Sequence, residues 1–103
     1  MTTETIKIEI ELDGKTLTLA HSSQAVITIS DASDGLAPAM AAVSRLNLAM
    51  MALVINAGAG LKGDDARSTA RAVAGSNLVE LSGKLSEYLA ALCNGGKPFK
   101  VGA

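Results

Sequence analysis

The amino-acid sequence predicts an α+β fold: an N-terminal β-hairpin followed by a bundle of four to five short α-helices. Three observations carry this. Period-two alternation near the N-terminus is split by a turn dipeptide. Capping residues and glycines then punctuate the chain at helical lengths. The longest of the resulting segments bears an apolar stripe at 3.6-residue spacing. A chain of 103 residues has room for one domain, 1–103, with the hairpin at about 5–20, the helical part at about 22–94 and a mobile tail at about 95–103.

Met1 to Glu4 is polar and expected to fray. From Thr5, apolar Ile6, Ile8, Ile10 and Leu12 alternate with Lys7, Glu9 and Glu11, which gives a strand with one apolar face. Asp13-Gly14 is a favoured pair for a two-residue type I′ turn, and Leu17 and Leu19 alternate with Thr16 and Thr18 on the return. That turn sets Ile10 opposite Leu17 and Ile8 opposite Leu19. A lone hairpin is marginal in water, so its apolar face must pack on the helical part of the chain.

Ser22 or Ser23 caps a first helix running to about Ser33, closed by Asp34-Gly35. The β-branched residues among Val26-Ile27-Thr28-Ile29 also suit a third strand, so this segment carries two readings. Pro38 fits the first turn of a second helix ending near Arg45. Asn47 caps a third, Leu48 to about Ala57, with Leu48, Met51 and Ile55 on one face, and the glycines at 58, 60 and 63 end it. Asp64 and Asp65 cap a fourth helix to about Ala74. Ser76 or Asn77 opens the last, to about Cys93, with a stripe of Leu78, Leu81, Leu85, Tyr88, Leu89 and Leu92 and with Glu80, Lys84 and Glu87 outside it. Gly95-Gly96-Lys97-Pro98 ends that helix.

Composition narrows the function. Hydrophobic residues make up 49% of the chain, but eighteen residues are Ala and the aromatics are Tyr88 and Phe99. Ala buries little area, whereas a buried Leu or Ile contributes roughly 1.5–3 kcal/mol. The expected core is therefore thin, which points to a homo-oligomer or to an apolar face for a partner. The net charge of −1, without a run of Lys or Arg, lacks the basic footprint that nucleic acid requires. The stretch Leu46 to Leu61 is interrupted by Asn47, Asn56, Gly58 and Gly60, and falls short of the roughly 20 apolar residues of a membrane span. No basic, then apolar, leader opens the chain, and Cys93 is its one cysteine. A soluble, cytoplasmic protein in a reducing compartment is expected.

Candidate chemistry is sparse. Gly58-Ala59-Gly60-Leu61-Lys62-Gly63 is a formal G-x-G-x-x-G, preceded by an apolar Ala52-Leu53-Val54-Ile55, with Glu80 about twenty residues on. Too few residues remain for a parallel sheet, Asp64 and Asp65 would repel a pyrophosphate, and the preceding residues continue a helical period. The segment reads as an inter-helix loop. His21 is the one histidine and sits at the hairpin-to-helix junction, so neither a metal site nor a Ser-His-Asp triad can be built on it. Cys93 lacks a nearby cation to lower its pKa and is expected to be a buried or half-buried structural thiol. Asp31 and Asp34 are too few for a calcium loop. Neither an enzyme, a cofactor nor a metal site is expected. Met40, Met50 and Met51 remain as adaptable side chains that fill core gaps or, at a surface, grip a partner.

The hairpin Ile8 to Leu19, the short helix ending Ile29-Ser30-Asp31 to Gly35, the segment Met51-Ala52-Leu53 to Ala59-Gly60-Leu61 and the closing helix and tail Leu85 to Pro98 occur in an order that resembles the gene-transfer-agent and phage tail assembly chaperone family, small proteins sometimes labelled tail tube proteins. The resemblance spans nearly the whole chain and is one of layout rather than of a single motif. The chain departs from it in having Ser23-Gln24-Ala25 where members often place an aromatic, and in displacing the usual acidic residue to Asp31. The resemblance implies a non-enzymatic chaperone in the cytoplasm of a bacterial host carrying a prophage or gene-transfer agent. It would bind the tape-measure protein, and also the major tail protein, during tail assembly; it carries over no functional residue, and Met40, Met50 and Met51 are candidate partner contacts on their own side-chain chemistry. A structural virion component (a tail tube or connector subunit) and a generic helical adaptor are the alternatives.

Overall fold

The computed structural model describes residues 6–96. Its order is β1 (Lys7–Leu12), β2 (Lys15–Ala20), α1 (Ser23–Ser33), α2 (Leu36–Ser44), α3 (Leu48–Ala59), α4 (Gly63–Ala74) and α5 (Leu78–Cys93). This is the expected α+β arrangement of a hairpin followed by helices. The expected fraying of Met1 to Glu4 and the tail from Lys97 onward lie outside the described residues.

The two strands pair antiparallel with Ile8 opposite Leu19 and Ile10 opposite Leu17, as the turn dipeptide requires. Asp13 and Gly14 both take positive φ, the signature of a type I′ turn. Ile6, Ile8, Ile10, Leu12 and Leu19 are buried on the inner face, while Lys7, Glu9 and Glu11 face out. A single face of the hairpin therefore joins the helices.

The β-branched run at 26–29 is helical, because the Ser22 hydroxyl accepts from the Ala25 N–H and Asp34 closes the helix in the left-handed region. Asn47 and Asn77 cap α3 and α5 in the same way, accepting from the N–H groups of Met50 and Glu80. α4 starts differently from expectation. Its N-cap is Lys62, without a side-chain bond, and Asp64 and Asp65 lie within the first turn, where Asp64 pairs with Arg67 at 3.0 Å in solvent. Acidic residues there still favour the helix through its dipole.

The core is made from small and medium side chains set close together. Ile29, Val43, Met51, Val54, Ile55, Val73, Leu85, Tyr88 and Leu89 are fully buried, with Ala25, Ala39, Ala42, Ala52 and Ala91 among them. Buried side chains of the hairpin and the helices form one continuous core. Ile27 on α1 and Val79 on α5 are the exposed large apolar side chains among the described residues.

Tyr88 organises the centre. Its hydroxyl donates to the Ala20 carbonyl at 2.7 Å, tying α5 to the end of β2. A methyl at position 58 would meet the Tyr88 Oη at 2.9 Å, so Gly58 is the residue that admits the ring. α3 accordingly runs through Gly58 to Ala59 and ends at Gly60, rather than stopping at Ala57 as the glycine spacing suggests. The chain end also closes on the hairpin. Ile6 N–H donates to the Gly96 carbonyl at 2.6 Å, Gly96 N–H donates to the Ala91 carbonyl at 2.7 Å, and a side chain at 96 would collide with the His21 ring. Gly96 is thus tied both to the start of the hairpin and to the last turn of α5.

Candidate functional site

α4 is the most polar helix of the set. Its residues Asp64, Asp65, Arg67, Ser68 and Arg71 face solvent, and only Thr69 and Val73 are buried. So narrow an apolar stripe covers one neighbour, and that neighbour is α3. The tie is made by the half-buried Asn56 amide. It donates to the Ala66 carbonyl at 3.1 Å and accepts from the Thr69 hydroxyl at 2.6 Å, with the Asp65 carbonyl as the competing acceptor at 3.0 Å. Thr69, the buried polar residue of the core, is thereby satisfied.

Because α4 leans on α3, it stands away from the hairpin and leaves a cleft of about 440 Å³ at the hairpin tip. Leu12, Leu17, Leu61 and Ala72, all buried or half-buried, supply its apolar floor. Exposed Asp13 and Lys15 on the hairpin face Asp65 and Arg71 on α4 across the mouth. Ser68, Thr69 and Ser76 add hydroxyls, although Ser68 and Ser76 already donate to the Asp65 and Ala72 carbonyls. Charges of both signs at the rim favour a partner that itself carries both signs over a simple anion or cation. At Ser76 the cleft meets a shallower one of about 230 Å³ lined by Ile10, Glu11, Asn77, Glu80, Leu81 and Lys84. Lys84 does not stand free outside the α5 stripe. It is half-buried, and its ammonium donates to the Glu9 carbonyl at 3.3 Å.

None of the three methionines lines this cleft. Met51 is fully buried in the core, so it fills space and offers no surface to a partner. Met40 on α2 and Met50 on α3 are half-buried, packed on the core, and the Met50 sulfur accepts from the Ser33 hydroxyl at 3.2 Å. Ala52 to Ile55, the strand that a dinucleotide fold would need, is helical, and Glu80 is exposed on the first turn of α5. His21 is half-buried against Gly96 at the junction. Cys93 corrects an expectation. Its thiol is exposed, because it sits one residue past Leu92 and turns off the buried stripe.

Among the described residues no group of three or more His, Cys, Asp and Glu is placed to hold a metal ion, and no helix is long and apolar enough to cross a membrane. Burial pushes the Tyr88 phenol up to about 12, so it stays a neutral donor to Ala20 at any physiological pH.

The cleft residues Lys15, Leu17, Leu61 and Arg71 are not legible as a site in the sequence, since they come from three separated stretches of chain. The available signal is α4 itself, a helix with one large apolar side chain, Val73, and therefore little to cover its flank.

Comparison with models of protein families, with curated proteins and with solved structures returns no match.

Proposed function

We propose that the chain is a non-enzymatic tail assembly chaperone that binds the tape-measure protein during phage or gene-transfer-agent tail morphogenesis. The layout resemblance supports the family. The cleft at the hairpin tip is the observation that carries the binding role. An apolar floor ringed by Asp13, Lys15, Asp65 and Arg71 suits the apolar side chains of a helical partner flanked by mixed charges. Its size is that of a few side chains, so it would grip one turn of helix at a time, as a holdase for a long helical client requires.

Co-expression with a phage or gene-transfer-agent tape-measure protein tests the reading. A soluble complex is expected, and Leu17→Asp, which places a charge on the cleft floor, should weaken it at least tenfold. No complex and no gain in client solubility would refute the chaperone role. The virion-component alternative differs in the particle: mass spectrometry of purified particles should lack the chain if it is a chaperone and contain many copies if it is a tube or connector subunit.

A further inference from the structure

We infer that α4 is a hinged wall of the cleft, opening as a unit while the hairpin and the other helices stay folded. This goes beyond the binding role and holds whatever the cleft receives. Three independent features of the fold lead to it.

The first is attachment. α4 contributes Val73 as its one large buried side chain, and among the described residues its side-chain bonds to the rest of the molecule are the two from Asn56 on α3. Among those residues no hydrogen bond or ion pair joins α4 to the hairpin. The second is the joints. On one side Gly60 and Gly63 take positive φ around an extended Lys62; on the other an extended Asn77 follows Gly75 and Ser76. These short extended links can absorb a rotation without breaking either flanking helix.

The third is where the cap bonds go. Leu61 N–H returns to the Asn56 carbonyl of α3, and Gly60 N–H does the same. At the other end, Gly75 N–H, Ser76 N–H and the Ser76 hydroxyl all return to carbonyls within α4. Each cap therefore moves with its own helix, and no cap bond must break for α4 to swing. What must break is the Asn56 clamp and the packing of Thr69, Ala72 and Val73. Opening widens the cleft over Leu17 and Leu61, so the clamp governs its width.

Amide hydrogen exchange on the whole chain decides this. Corrected for intrinsic rates, Arg67 to Ala74 should exchange at least 100-fold faster than Leu85 to Leu92, through an opening with little denaturant dependence. Asn56→Ala should speed α4 exchange about tenfold further and leave the ratio of α5 rates before and after substitution near one. Should Asn56→Ala fail to fold, Thr69→Val removes the shorter clamp bond from the other partner and carries the same expectation. Equal protection and equal denaturant dependence in α4 and α5 of the unmodified chain would overturn the proposal, as would equal acceleration of both helices by either substitution.

Discussion

α4 and α5 are neighbours in sequence, yet they are held by different physics. α5 buries Leu81, Leu85, Tyr88, Leu89, Ala91 and Leu92, and reaches both strands through Lys84 and Tyr88. Among the described residues, α4 buries Thr69 and Val73, packs on α3 and has one amide, that of Asn56, as its side-chain hydrogen-bond tie to the rest of the molecule. The helix with the broad apolar stripe makes the core, and the helix with the narrow one leaves a cleft between itself and the hairpin.

Substitutions on the two helices should differ accordingly. Leu85→Ala, at a fully buried position on α5, is expected to cost about 3 kcal/mol of global stability in denaturant unfolding. Val73→Ala on α4 should cost about 1 kcal/mol. Equal costs would break the contrast.

Next in size is a pH effect set by Tyr88 of α5. The Tyr88 phenol is raised from its ordinary 10 to about 12 by burial, so the folded state holds its proton more tightly than the unfolded chain does. The contribution of Tyr88 to stability is therefore full below about pH 10 and is lost as pH rises from 10 towards 12, by on the order of 2 kcal/mol. The chain has one Tyr and no Trp, so tyrosinate absorbance reports this residue alone. It should titrate near 12 when folded and near 10 in denaturant.

Gly58→Ala sharpens the same point. Ala improves helix propensity by about 1 kcal/mol. Its methyl would nevertheless stand 2.9 Å from the Tyr88 hydroxyl oxygen, so a net loss of about 1 kcal/mol is expected in thermal or denaturant unfolding. At the small end, Arg67→Ala removes a fully solvated pair with Asp64 and should leave the unfolding midpoint unchanged.

Local chemistry makes much of this architecture legible. The alternation from Ile6 to Leu12, the Asp13-Gly14 turn, the caps at Ser22, Asn47 and Asn77 and the stripe of α5 all depend on neighbours within a few residues, and the structure places them as the sequence implies. Gly58 reads as a helix end in the sequence because the reason for it, Tyr88, lies thirty positions away in the chain. Cys93 is exposed against expectation because one step along a helix turns a side chain about 100° off the buried stripe. Met51 is closed to a partner, and its spacing with Leu48 and Ile55 already places it on the inner face of α3. The cleft depends on how far α4 stands from the hairpin, a distance no local pattern encodes.

The central claim is that a partner is received between a firm body and a loosely held helix. Hydrogen exchange of the chain with and without the tape-measure protein tests it most directly. Binding should raise protection at least tenfold in α4 and at the hairpin tip, Leu12 to Leu17, and leave α5 unchanged. A stable complex whose protection falls elsewhere, or no complex at all, would contradict it.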